Sequence, residues 1–266
     1  MSVIQVGNIS IGYDDVGNGT PIVLIHGHPF DRSMWNDQKQ ALTESYRVIT
    51  PDLRGYGETT VIAGKTLLED FARDLGSLLD ALKVDRIVLG GLSMGGQIVF
   101  AFYQLFPRRV RALILADTFA QLDSEEGRRK RLEGADRLVR EGMGPYADEN
   151  LPKMVSKSTI TDRPLAANHV LEMMRAAHPE GAAAAMRGRS ERPDYTLLLS
   201  TIAVPTLIVV GSEDEFTPVS DAEFMHQRIP NSQLVVIEDT GHMPNLERPD
   251  VFNQAVLEFL KASGIQ

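Results

Sequence analysis

The sequence predicts an α/β fold built on a doubly wound, mostly parallel sheet. Short, continuous apolar runs rich in β-branched residues recur along the chain, as expected for strands buried on both faces. Segments with apolar residues three and four positions apart separate these runs, which is typical of helices that pack on a sheet. The alternation of strand and helix favours parallel pairing through right-handed crossovers.

The chain opens with a predicted hairpin, because Val3–Val6 and Ile9–Tyr13 alternate in polarity around the turn Gly7-Asn8. Further strands are predicted at 22–25, 48–49, 87–89, 112–115, 206–210 and 234–237. Helices are predicted at 67–82, 94–106, 219–229 and 251–260.

One stretch, 119–199, contains helical patterns and no convincing strand. It is too long for a structureless loop in a compact domain, so we predict a helical insertion. The predicted division is a core domain of residues 1–118 and 200–266 and a helical cap of residues 119–199.

Composition restricts the class of protein. The 266 residues include no cysteine, which excludes disulfides and thiolate metal sites. The formal net charge of -9 disfavours binding to nucleic acid or anionic membranes. The basic run 128–131 is predicted to be a solvated helix face. The sequence shows no signal-peptide pattern and no apolar stretch of membrane-spanning length, so we expect a cytoplasmic enzyme without a cofactor.

The strongest chemical signal is Gly91-Leu92-Ser93-Met94-Gly95, between a predicted strand and a predicted helix. A G-x-S-x-G motif in this context is the nucleophile elbow, in which a serine sits on a strained turn. Glycines two positions away avoid collisions across that turn. Ser93 is therefore the candidate nucleophile.

A serine hydroxyl needs a base, and the base needs an orienting group. His242 follows a late strand in a glycine-flanked loop and is the candidate base. Asp214 follows the preceding strand and is the favoured acid, because the order Ser, Asp, His fits the motif. Asp117, which also follows an apolar strand, stays open as an alternative; Glu213, Glu215 and Asp239 are weaker candidates and expected to be solvated.

Acyl transfer also requires donors for an oxyanion. The backbone N–H groups of Met94 and of His28, in the loop after the strand at 22–25, are the candidates. His26 is expected to be a hydrogen-bonding loop residue. No metal site is predicted, because His169, His178 and His226 lack metal-ligand spacing.

These residues resemble the α/β-hydrolase superfamily over essentially the whole chain. The blocks that carry the resemblance are His26-Gly27-His28-Pro29, Asp52–Gly57, Gly91–Gly96 and Gly241–Pro249. Within the superfamily the chain is similar to small bacterial carboxylesterases, 3-oxoadipate enol-lactonases and cofactor-free perhydrolases. The resemblance implies an eight-stranded sheet with a helical cap over Ser93. A serine at the nucleophile position departs from dehalogenases and epoxide hydrolases, which carry aspartate there.

The sequence thus predicts a carboxylesterase that cleaves small, short-acyl esters through an acyl-enzyme intermediate. An enol-lactonase or perhydrolase using the same site is the alternative, and a non-catalytic binding protein is a distant one. A lactonase would need a cationic anchor, for which Arg175 and Arg187 are candidates. Asp52 and Arg54 are expected to form a buried ion pair. Candidate pocket residues are Phe30, Phe119, Met143, Tyr146, Met154, Met173 and Met174.

Overall fold

The computed structural model describes residues 2–266, which form an eight-stranded sheet. Its strands are β1 Ser2–Val6, β2 Ile9–Val16, β3 Pro21–Ile25, β4 Arg47–Pro51, β5 Ile87–Leu92, β6 Val110–Ala116, β7 Thr206–Gly211 and β8 Ser232–Ile237. Their order across the sheet is β1-β2-β4-β3-β5-β6-β7-β8. β2 pairs antiparallel with β1 and β4, and all other neighbours are parallel. The prediction of a mostly parallel sheet is confirmed.

The hairpin is confirmed as well, since Val6 pairs with Ile9 across the predicted turn. The helices are α1 Asn36–Leu42, α2 Leu68–Ala81, α3 Met94–Leu105, α4 Glu125–Glu141, α5 Met143–Met154, α6 Lys157–Asp162, α7 Pro164–Ala176, α8 Pro179–Arg189, α9 Thr196–Leu199, α10 Val219–His226, α11 Pro244–Glu247 and α12 Pro249–Ala262. Among residues 2–266, no helix combines the length and apolar character needed to span a bilayer.

Each face of the sheet has its own apolar core. Along β3, Val23 and Ile25 belong to a cluster that includes residues of α2, α3 and α10. The alternate residues Ile22 and Leu24 face the other way, into a cluster with Trp35 and residues of α12. Because successive side chains of a strand point to opposite faces, continuous apolar runs are required for helices to cover both faces.

The chain between β6 and β7 contains α4 to α9, in agreement with the predicted helical insertion. α4 packs against α8, and α5 packs against α7. α8 also contacts the loops after β4: a Cβ built at Gly188 would lie 1.6 Å from the carbonyl oxygen of Thr66, and one at Gly181 2.0 Å from that of Gly55. These close backbone contacts fix the position of α8. That 119–199 is a separate domain remains a prediction.

The predicted ion pair between Asp52 and Arg54 is wrong. Asp52 turns into the loop after β4, where it accepts hydrogen bonds from the backbone N–H of Arg32 at 2.8 Å and of Glu58 at 2.9 Å. The Arg32 guanidinium is its salt-bridge partner. Arg54 extends toward α2 and pairs with Asp74. The hydrogen-bond donors around the buried Asp52 carboxylate thus come from Arg32 and Glu58. The acidic partner of Arg54 is on α2.

The contact at Gly188 gives a prediction for stability. We expect Gly188→Ala to lower the free energy of unfolding by about 2 kcal/mol, because the added methyl group meets backbone that has to move. Gly144→Ala in α5 is the matched control, since a Cβ there meets nothing within 4 Å. It should leave stability unchanged or raise it by about 0.5–1 kcal/mol. Urea-induced unfolding measures both, and equal midpoints would contradict the assigned packing.

Candidate active site

Ser93 lies on a strained turn between β5 and α3. Its backbone angles are φ 57° and ψ -116°, a conformation that side-chain-bearing residues rarely adopt. A Cβ at Gly91 would lie 2.4 Å from the carbonyl carbon of Gly95, and one at Gly95 would lie 2.3 Å from the carbonyl oxygen of Ile25. Both glycines are therefore required by backbone contacts, as the motif suggests. The turn places the Ser93 side chain at the N-terminus of α3, where partial positive charge favours an anion.

His242 and Asp214 are joined by a hydrogen bond of 2.7 Å between Nδ1 and Oδ2. Because an ionised carboxylate only accepts, Nδ1 carries the proton and Nε2 is left as an acceptor. The backbone N–H groups of Phe216 and Thr217 donate to the other Asp214 oxygen at 2.8 and 3.1 Å. Burial alone would raise the pKa of Asp214, but His242 and these hydrogen bonds hold it below its usual value. Asp214 is thus a stable anion that orients the ring.

Ser93 and His242 line one cavity of about 250 Å³ between the sheet and the insertion. Within residues 2–266 the Ser93 hydroxyl makes no hydrogen bond, so the structure brings it to the same cavity as His242 without a direct bond between them. In active sites without substrate, the nucleophile–base bond is often long and shortens on substrate binding. The cavity therefore contains a hydroxyl and an oriented imidazole that a substrate can bring together.

Asp117, the alternative acid, occupies a different place. It lies at φ 44°, is fully buried, and accepts a hydrogen bond from the backbone N–H of Gly211 at 2.9 Å through Oδ1. Its Oδ2 has no partner among the described residues. Burial, and then the charge of Asp214, raise the pKa of Asp117 well above its usual value. Among the described residues, Asp117 makes no hydrogen bond to His242, so Asp214 and not Asp117 orients the imidazole.

Asp117, Asp214 and His242 also form a cluster in which possible metal-ligand atoms lie within 4.8 Å of one another. Sequence spacing gave no sign of this cluster, since its members follow three different strands. However, Nδ1 of His242 and both oxygens of Asp214 already take part in hydrogen bonds. A cation would have to replace these bonds. The cluster is better suited to acid–base chemistry than to metal binding.

Two backbone N–H groups close to Ser93 in the chain or in space have no acceptor among the described residues. In the described chain, the N–H groups of His28 and Met94 donate to no other residue. A Cβ at Gly27 would lie 3.3 Å from Cβ of Ser93, so the loop after β3 passes directly beside the serine. His26 is fully buried and accepts a hydrogen bond from the N–H of Leu53 at 2.9 Å, which agrees with the expected loop-stabilising role.

The structure places the predicted pocket residues in two different surroundings. Phe119, Tyr146 and Met154 line the cavity, together with Met186 and Phe216, which sequence reasoning missed. Four other candidates lie in the apolar cores instead of the cavity wall: Phe30, Met143, Met173 and Met174. Their sequence pattern is that of any buried helix or loop residue, so the direction of the side chain could not be inferred.

The predicted cationic anchors are wrong. Arg175 and Arg187 pair with Asp148 and Asp136 on the protein surface. The arginines in the cavity wall are Arg131 and Arg189. Arg131 was expected on a solvated helix face; this holds for Arg129 and Lys130 on α4, but Arg131 turns inward and binds Asp123 at 2.8 Å.

Glu247 is a buried residue of the site that sequence reasoning did not single out. One of its oxygens accepts hydrogen bonds from the N–H groups of Gly241 and Met243, on either side of His242, at 2.9 and 3.2 Å. The other accepts from the N–H of Ser156 and the hydroxyl of Thr159, both at 2.8 Å. One carboxylate therefore joins the His242 loop to the insertion. The signal available was a glutamate in a loop that also contains the candidate base.

Replacing this carboxylate tests its structural importance. We expect Glu247→Gln to lower the free energy of unfolding by about 2 kcal/mol, because an amide group would direct N–H donors at N–H donors. Glu44→Gln, at an exposed position, makes the same charge change and should have little effect. Thermal unfolding by calorimetry compares the two variants. If Glu247→Gln melts with the control, the hydrogen bonds at Glu247 do not stabilise the fold as described.

Comparisons with known proteins agree with this geometry. A family model of the alpha/beta hydrolase fold matches residues 20–249. The chain is 30% identical to 3-oxoadipate enol-lactonase 1 of Acinetobacter baylyi over 97% of this chain and 95% of the relative. Its structure is similar to a thermophilic esterase from Thermogutta terrifontis with malate bound, with a TM-score of 0.97 and 42% identity over 99% of both chains.

It is also similar to the enol-lactonase of Burkholderia xenovorans, with a TM-score of 0.91 and 28% identity over 98% of this chain and all of the other. The matched region, residues 20–249, includes β5, the turn at Ser93 and α3. The chain belongs to the α/β-hydrolase family.

Proposed function

We propose that this hydrolase is a carboxylesterase that uses Ser93, His242 and Asp214 as a catalytic triad. The observation that carries the proposal is the cavity shared by Ser93 and His242, together with the 2.7 Å bond that fixes the His242 ring on Asp214. A strained serine at a helix N-terminus, beside an imidazole with a free Nε2, is suited to nucleophilic attack on a carbonyl group.

The chemistry follows from the protonation states. Nε2 of His242 takes the proton of the Ser93 hydroxyl as the oxygen attacks the ester carbon. The resulting imidazolium is stabilised by the Asp214 carboxylate, which stays ionised. His242 then gives the proton to the leaving alcohol, and the acyl group remains on Ser93. A water molecule attacks this acyl-enzyme in the same way and releases the acid.

The negative charge that develops on the carbonyl oxygen needs donors that are already in place. The backbone N–H groups of His28 and Met94 have no other partner and flank Ser93, so we assign them to the oxyanion. Such preorganised donors act in a site largely closed to water, where one is worth about 3 kcal/mol in the transition state.

Cavity size favours small substrates. The cavity of about 250 Å³ lies below the range of about 300–1,000 Å³ that is usual for drug-sized ligands. Its apolar wall of Phe119, Tyr146, Met154, Met186 and Phe216 suits a short hydrocarbon chain. We therefore propose short-acyl esters as the substrate class, with cyclic esters as the second candidate because of the whole-length similarity to enol-lactonases.

A covalent probe tests the nucleophile. We expect a fluorophosphonate to label the protein with a stoichiometry near one and to leave Ser93→Ala unlabelled, because only an activated serine reacts with it. Ser190→Ala, which removes a buried serine far from the turn in sequence, should be labelled normally. Intact-mass spectrometry measures the adduct. Labelling that persists in Ser93→Ala would assign the nucleophile elsewhere.

The choice of acid is tested by a pair of variants. Asp214→Asn should lower kcat by a factor on the order of 10⁴, because an amide favours the wrong His242 tautomer. Asp117→Asn should change kcat by no more than about threefold, since an amide oxygen can still accept the hydrogen bond from the Gly211 N–H and no hydrogen bond to His242 is lost. Hydrolysis of para-nitrophenyl acetate measures both. The opposite ranking would make Asp117 the acid.

A further inference from the structure

The cavity wall contains a buried charge that has no counterion. Arg189, the last residue of α8, is 7% exposed and lines the cavity with Ser93 and His242. Its Nε donates to Oε1 of Gln97 at 3.1 Å. Within residues 2–266, its two terminal nitrogens form no hydrogen bond and no salt bridge. A buried guanidinium is normally paired, because leaving it unpaired is costly.

Positively charged side chains outnumber acidic ones around Arg189. Asp123 is the one acidic residue in the described cavity wall, and Arg131 and Arg192 already share it. Burial, and then the positive charge of Arg131, lower the pKa of Arg189. A guanidinium nevertheless stays protonated in proteins. Three arginines therefore face one aspartate, and the cavity has a positive charge that an anion can neutralise.

The ring of His28, which also lines the cavity, adds no charge beside Arg189. Its Nδ1 is 2.7 Å from the Tyr56 hydroxyl. Burial and the nearby Arg189 hold the pKa of His28 well below its usual value. The charge that an anion would meet in this part of the wall is therefore that of Arg189.

We propose that Arg189 binds a carboxylate on the substrate, so that this hydrolase prefers esters of short dicarboxylic acids. The inference rests on the proposed esterase function. The guanidinium supplies two parallel N–H groups, a geometry that matches a carboxylate.

The position of Arg189 is fixed relative to the nucleophile. Gln97, its hydrogen-bond partner, lies one turn after Ser93 on α3, and the Gln97 N–H donates to the Ser93 carbonyl at 3.2 Å. Gln97 is completely buried. This short connection sets the distance between the bound carboxylate and the reacting carbonyl, and therefore the length of acid that fits.

The same neighbours place the carboxylate on the acyl part of the substrate. The leaving alcohol has to reach Nε2 of His242, whose ring packs against Phe216. Arg189 instead has Gln97, His28 and Tyr56 as its neighbours. His242 and Arg189 have different neighbours. The leaving alcohol and the carboxylate therefore occupy different ends of the cavity.

The test compares two esters of similar length, monoethyl succinate and ethyl pentanoate, by pH-stat titration. We expect kcat/KM of the unmodified enzyme to favour monoethyl succinate by about tenfold or more. Arg189→Met should remove this preference, chiefly through a higher KM for monoethyl succinate, and Arg189→Lys should retain part of it. Arg187→Met, two residues earlier on α8 and paired with Asp136, should keep the full preference.

An independent measurement needs no variant. Succinate should inhibit para-nitrophenyl acetate hydrolysis competitively at a concentration at least about tenfold lower than butyrate does. Fluorophosphonate labelling of Arg189→Met shows whether its active site is intact. If the unmodified enzyme is labelled at Ser93 and cleaves ethyl pentanoate as well as monoethyl succinate, or if a labelled Arg189→Met keeps the full preference, this inference is overturned and the esterase stands. If the unmodified enzyme is not labelled and cleaves neither ester, the proposed function itself fails.

Discussion

The geometry of the site depends on one steric constraint, the contact of the Ser93 turn with the end of β3. Ser93 adopts a left-handed backbone conformation because Gly91 and Gly95 allow the chain to close tightly around it. Gly95 in turn lies against the carbonyl oxygen of Ile25. The turn that exposes the nucleophile is thereby packed on the strand whose following loop carries His28. Close contacts at Gly27 and Gly95 thus hold Ser93 next to the two proposed oxyanion donors.

Sequence reasoning can place residues whose surroundings are local. Ser93, Asp214 and His242 follow β5, β7 and β8 in the parallel part of the sheet, and the carboxyl ends of parallel strands share one edge. Once the strands are located in the sequence, these side chains can be predicted to lie at the same edge of the sheet. Glycines beside Ser93 and His242 mark the sharp turns directly. The fold was predictable for the same reason, since continuous apolar runs require cover on both faces.

Residues whose position depends on how distant helices pack were not predictable. Arg187 and Arg189 are two positions apart, which on a helix turns their side chains about 200° from each other. One reaches the surface and Asp136, and the other reaches the cavity. The packing of α8 against α4 and against the loops after β4, at Gly181 and Gly188, decides which arginine faces the cavity. Asp52 and Arg54 were mispaired for a similar reason, because Arg32 and Asp74 are distant in sequence.

The residues of the site come from two parts of the fold, the loops of the sheet and the helical insertion. The reacting groups stand on loops of the sheet, where strand order fixes them, while Arg131, Arg189 and the apolar wall come from the insertion. Glu247 connects the two parts, since it holds the His242 loop and the start of α6 with one buried carboxylate. The insertion can therefore carry substrate selectivity only as long as it keeps this connection. Loss of the Glu247 contacts would displace the base as well as the cavity wall, so selectivity and catalysis are coupled through a single buried anion.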